Sequence, residues 1–171
     1  MTNSLLKKIA FCGILSTLAL ISFLIENLFP PLFFPGARMG VSNLFILIAL
    51  IYLSPKYAYA TVIIKTVIGS IFSGNPSAVL YSLPAGLISL TAEWLLLYYC
   101  KQVSIVAISV LGAVINICTQ NIVFMLLTHT PEYLIYLPYL SLISIFSGLI
   151  VGLTTYLIIK KIPNKLNGLL N

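Results

Sequence analysis

The chain has 171 residues, 60% of them hydrophobic and only 7% charged, with a net charge of +6 and a mean hydropathy of +1.11. A soluble domain carries roughly 25% charged residues. The deficit excludes a soluble enzyme, a nucleic-acid-binding domain and a disordered chain, and leaves an integral membrane protein with almost no mass outside the bilayer. The length allows about six crossings of roughly 20 residues each, and so one membrane domain over residues 1–171.

In chain order, the first span covers about residues 9–29. It has no charge between Ile9 and Ile25 and ends at Pro30-Pro31, because proline lacks the amide donor and clashes with the preceding turn. Lys7 and Lys8 precede it as in a signal peptide. The run ends at Glu26-Asn27 without a small-residue cleavage site, and it reads as a retained helix. Residues 30–40, PPLFFPGARMG, are too rich in Pro and Gly for a helix. The second span, 39–53, stops at Ser54-Pro55. The third, 58–72, runs into the turn Ser73-Gly74-Asn75-Pro76. The fourth covers 78–99 and the fifth 103–127, which Thr130-Pro131 terminates; the sixth covers 133–159. The second and third spans are short, about 15 residues or ~22 Å each.

Lys and Arg near span ends set orientation. With six spans, one side holds Lys7, Lys8, Lys56, Lys101, Lys160, Lys161 and Lys165, and the other only Arg38. Both termini are therefore expected in the cytoplasm of a cell-membrane protein, with residues 30–40, 73–77 and 128–132 outside. Tyr57, Tyr59, Tyr98 and Tyr99 fall at the inner interface and Tyr81, Tyr133 and Tyr136 at the outer one, where amphipathic rings belong. Cys12, Cys100 and Cys118 lack any metal-ligand spacing and read as buried reduced thiols. No GxxxxGK[ST] sequence is present, so any ATP that drives this protein is hydrolysed on another chain.

Lys65 lies near the middle of the third span, where an ammonium costs ~2.5–3.5 kcal/mol to insert and ordinarily faces a bundle interior. Thr61, Lys65, Gly69 and Ser73 share one helix face by their four-residue spacing. Lys65 reads either as a lysine snorkelling to an interface or as an anion contact in a central cavity. Glu26 and Arg38 flank the proline loop; they read as a latch, or Arg38 faces a ligand's carboxylate or phosphate. Gly112, Asn116 and Gln120 form a stripe on the fifth span, and Ser82, Gly86, Ser89 and Glu93 another on the fourth. Such amides serve either helix–helix bonding or a ligand. Glu93 falls in the inner half and reads as a structural partner of a neighbouring helix. Gly148 and Gly152 form GxxxG, which permits close packing. Lys65, Asn116, Gln120, Arg38 and Glu26 all map to the middle or outer half, which describes a polar cavity open to the outside under a loop.

The run from Glu26 through PPLFFPGARMGVSN resembles the first loop and second helix of the Gx transporter family, also known as heptaprenyl diphosphate synthase component I. Members of that family resemble the substrate-binding S components of energy-coupling factor (ECF) transporters. Pro35, Gly36, Ala37, Gly40 and Asn43 match the family pattern, and Arg38 takes its basic position. Lys65 stands where the third helix usually carries Arg, followed by Gly69, Ser70 and Gly74. Ser82, Ala85, Gly86 and Ser89 match on the fourth helix. On the fifth, Gly112, Ala113, Asn116 and Gln120 match, while Ile115 replaces a histidine. The resemblance covers about residues 10–155. It implies an all-α six-helix membrane bundle, a substrate pocket in the outer half including Asn43, and a lid at Pro35 and Gly36. It also implies a transmembrane coupling subunit, contacted by Ala10, Gly13 and Thr17, and two cytoplasmic ATPases.

Three functions compete on these residues. The first is a non-enzymatic, substrate-binding membrane subunit of an uptake system for a small anionic or vitamin-like metabolite, surrounded by membrane lipid and with no nucleic acid, metal or cofactor. The second is an accessory membrane subunit in prenyl diphosphate synthesis. The chain has no Asp, and its Glu26, Glu93 and Glu132 are scattered, so it lacks the carboxylate cluster that holds magnesium in such chemistry. The third is a structural subunit of a larger membrane complex.

Overall fold

A computed structural model describes residues 2–28, 40–100 and 102–161. Arg38, Pro35 and Gly36 lie outside the described residues, as do Phe33, Phe34 and Lys101. The described chain is all-α. Its helices are α1 (Thr2–Leu28), α2 (Ser42–Tyr52), α3 (Pro55–Phe72), α4 (Val79–Tyr99), α5 (Ile105–Thr128) and α6 (Leu137–Lys161), with short 3-10 turns at Pro76–Ala78 and Pro131–Tyr136.

Local chemistry explains where the elements depart from the expected boundaries. α1 starts earlier, at Thr2, because Leu5, Leu6, Lys7 and Lys8 are all good helix formers. α3 begins at Pro55, at a first-turn position where the missing N–H is no loss. Ser104 caps α5, its hydroxyl accepting from the Ala107 amide at 3.2 Å. The sixth segment winds first as a 3-10 turn after Pro131 and becomes α-helical only at Leu137. His129 closes α5 in the left-handed conformation, φ 54°.

Four segments are long and apolar enough to cross a membrane: Leu5–Asn27, Pro76–Tyr99, Ile105–Thr128 and Pro131–Lys161. α3 has 18 residues but carries Lys56 and Lys65. α2 has 11 residues, about 16 Å of helix. It is apolar nearly all round, with Leu44, Ile46, Leu47, Ile48, Ala49 and Leu50 buried, the mark of a helix enclosed by others.

The helices close a ring. α1 packs on α2 and α3, α3 on α4, α4 on α5, α5 on α6, and α6 returns to α2. Glycines set the closest approaches. A Cβ at Gly148 would lie 2.7 Å from Val110 Cα, and one at Gly152 2.8 Å from Val106 Cα. The GxxxG pair thus lets the backbone of α6 lie against that of α5, and Ser109 Oγ donates to Gly148 O across the contact at 2.9 Å. Gly69 is covered by the Phe23 ring.

The cysteines correct one expectation. Cys12 is buried, but Cys100 is exposed and Cys118 half-buried. Cys100 follows the last residue of α4, where the helix has already left the packed interior.

Candidate functional site

Inside the ring lies a polar cavity of about 70 Å³. A water needs on the order of 10–15 Å³, so the space suits a handful of waters or one small polar molecule. Its lining comes from every helix: Glu26 of α1, Ser42 and Asn43 of α2, Lys65 and Thr66 of α3, Ser82 of α4, Asn116 and Gln120 of α5, and Ser144 and Ser147 of α6. These positions belong to the last turns of α1, the first turn of α2, the first turns of α4 and the second half of α5. The cavity therefore lies toward the end of the bundle that carries the 73–76 and 128–130 turns, away from Lys7, Lys8, Lys160 and Lys161.

Lys65 is 8% exposed and does not snorkel. Its ammonium donates to Ser42 Oγ at 3.1 Å and Asn43 Oδ1 at 3.0 Å, and it lies 5.7 Å from the centre of the Phe23 ring. The neighbours on its face differ in role. Thr61 is buried and accepts from Ser16 Oγ at 3.1 Å, and Gly69 abuts Phe23. Of these three residues only Lys65 lines the cavity.

Glu26 is held, among the described residues, by backbone rather than by a side chain. Its carboxylate accepts from the backbone amides of Gly40 and Ser42, both at 3.2 Å. These amides open α2, so the carboxylate caps that helix from a neighbouring one, at the positive end of its dipole. Gly40 has φ +64°, a conformation that favours glycine, and a Cβ there would just touch Asn43 and Ser147 at 3.4 Å. Glu26 and Lys65 thus hold the start of α2 from two sides.

On the far wall, Asn116 and Gln120 face the cavity from successive turns of α5. Among the described residues Ser82 Oγ is buried there with no hydrogen-bond partner, a state that costs ~1–3 kcal/mol unless something fills it. Sequence reasoning had placed Lys65, Glu26, Asn43, Asn116 and Gln120 here. It missed Thr66, Ser144 and Ser147, whose small hydroxyl side chains carry no distinguishing spacing. The coupling-contact candidates Ala10, Gly13 and Thr17 lie on the exposed face of α1, and nothing approaches within 4 Å of a Cβ at Gly13. A ladder of rings, Tyr81–Phe124 at 5.2 Å and Phe124–Tyr133 at 4.8 Å, closes the same end of the bundle as the cavity.

An all-helical membrane protein with a small polar cavity inside its helix ring defines the class. Comparison with family models makes the assignment more particular: the model described as heptaprenyl diphosphate synthase component I matches residues 15–158, and the chain belongs to that family. The family description names a component, one subunit of a larger assembly. No curated protein and no solved structure matches the chain.

Proposed function

We propose that this chain is the substrate-binding membrane subunit of an ECF-type uptake system, taking a small polar, anionic metabolite from outside the cell membrane. The observation that supports it most is the convergence of the Lys65 ammonium, the Asn116 and Gln120 amides and the unpartnered Ser82 hydroxyl on one cavity. A buried cation surrounded by neutral donors and acceptors is the arrangement that recognises a carboxylate or phosphate together with an amide or hydroxyl. In this reading the 30–40 segment, with Pro35, Gly36 and Arg38, covers the cavity and brings a second positive charge. Both termini are cytoplasmic. Ala10, Gly13 and Thr17 meet a transmembrane coupling subunit, which two ATPases drive.

The family description favours a second reading, an accessory membrane subunit in heptaprenyl diphosphate synthesis, in which Lys65 and Arg38 hold a diphosphate. Purification of the full chain from its native membrane in mild detergent separates the two. Co-purifying ATPases support the uptake reading, and a co-purifying prenyltransferase supports the second.

A further inference from the structure

Beside the main cavity lies a smaller chamber of about 10 Å³, the size of a single water. It shares Gly40, Asn43, Ala113 and Ser147 with the cavity, and it adds Glu93 from α4 and Ser109 from α5. Glu93 is 8% exposed and is aimed into this chamber. Gly112 makes room for it, since a Cβ there would overlap the carboxyl group. Among the described residues no hydrogen bond reaches the Glu93 carboxylate. The charged side chain that acts on it is Lys65 of α3, whose ammonium bonds Ser42 and Asn43. The chamber lining contributed by α2, α5 and α6 is uncharged: Asn43, Leu47, Ser109, Ala113, Ser147, Gly148 and Val151.

We propose that this chamber binds one small monovalent cation, a proton or a sodium ion, against the Glu93 carboxylate. A buried carboxylate that accepts no hydrogen bond among the described residues is costly even with an ammonium acting on it through space, so it is neutralised or paired more closely. The chamber is the size of a single water, room for a bare monovalent cation but not for a hydrated one. Oxygen-bearing side chains line it from three helices: Asn43 of α2, Ser109 of α5 and Ser147 of α6. Ser109 directs its hydroxyl hydrogen to Gly148 O and so leaves its lone pairs for a cation. Asn43 is the common wall: it accepts from Lys65 on one side and borders Glu93 on the other. A cation at Glu93 therefore removes a negative charge next to the anion-recognising cavity, and by linkage each occupant favours the other. The cation site itself does not depend on the uptake reading.

The test uses the full chain purified in detergent. Its thermal unfolding midpoint is followed while sodium chloride replaces choline chloride at constant ionic strength, at mildly acidic and mildly alkaline pH. A ligand at about a hundred times its Kd raises the midpoint of a protein of this size by roughly 5–10 °C. A sodium site gives that rise with sodium at both pH values, none in Glu93→Gln, and a severalfold higher sodium requirement in Ser109→Ala. A proton site gives a midpoint that is indifferent to sodium, falls from acid to alkaline pH in the wild type, and stays level in Glu93→Gln. The proposal is overturned if the wild type responds to neither, or if Glu93→Gln responds as the wild type does. A proton site is also overturned if Glu93→Gln fails to fold, because the protonated carboxyl is itself neutral and its amide isostere should be tolerated; a sodium site is then decided by the sodium responses of the wild type and Ser109→Ala.

Discussion

Lys65 Nζ lies 3.0 Å from Asn43 Oδ1, so the interior cation of α3 is joined to the first turn of α2. With Glu26 holding the Gly40 and Ser42 amides, three helices meet at the mouth of α2. The same contacts that build the fold there also present charge to the cavity. Residues at this junction should therefore show separable effects on folding and on binding.

Glu26 illustrates the folding side. Glu26→Ala leaves the Gly40 and Ser42 amides without their acceptor, a cost of up to ~1–3 kcal/mol for the buried Ser42 and less for the half-buried Gly40, and it removes a favourable charge from the dipole. The unfolding midpoint in detergent should fall by several degrees. Glu26→Gln keeps one acceptor oxygen and should fall by less. Equal midpoints for wild type and Glu26→Ala would show that the carboxylate does not hold α2.

Glycine substitutions should divide by what surrounds them. At Gly148 and Gly152 an added methyl meets backbone atoms of α5, which cannot move aside cheaply, so Ala at either should cost about 1–3 kcal/mol. At Gly13 nothing lies within 4 Å, and Gly13→Ala should stabilise α1 by up to about 1 kcal/mol. Gly13→Leu should leave the isolated protein folded yet lose co-purification of a coupling subunit. Retained co-purification would remove Gly13 from that contact.

The exposed Cys100 offers a topology probe already in the chain. In intact cells an impermeant thiol reagent should miss Cys100 and should label Asn75→Cys in a Cys100→Ser background. Cys12 is buried and should stay unlabelled in both. The opposite pattern would invert the orientation and turn the cavity toward the cytoplasm.

Much of this arrangement is legible in the residues. The Pro pairs, the Gly turns and the apolar runs delimit the helices. Lys65, Asn116 and Gln120 stand out because amides and ammonium groups are costly in hydrocarbon and must face one another or a cavity. Two things were not legible. Glu26 bonds backbone amides, and these carry no side-chain signature in the sequence. Glu93 falls toward the inner half by linear position, yet Gly112 lets its carboxyl enter a chamber that borders Asn43. The reach of a side chain through a gap left by a glycine on another helix depends on packing, not spacing.

The anion-recognising cavity is tested most directly by native mass spectrometry of the full chain purified from its native membrane, comparing wild type with Lys65→Met. The substitution keeps the apolar stem and removes the charge; it releases Ser42 and Asn43 to water in the cavity, so the protein should still fold and insert. Losing a charge-assisted bond costs ~1.5–3 kcal/mol, about 10–150-fold in affinity. The account predicts a small anionic molecule retained by the wild type and lost from folded Lys65→Met. The same adduct at the same occupancy on Lys65→Met would contradict it.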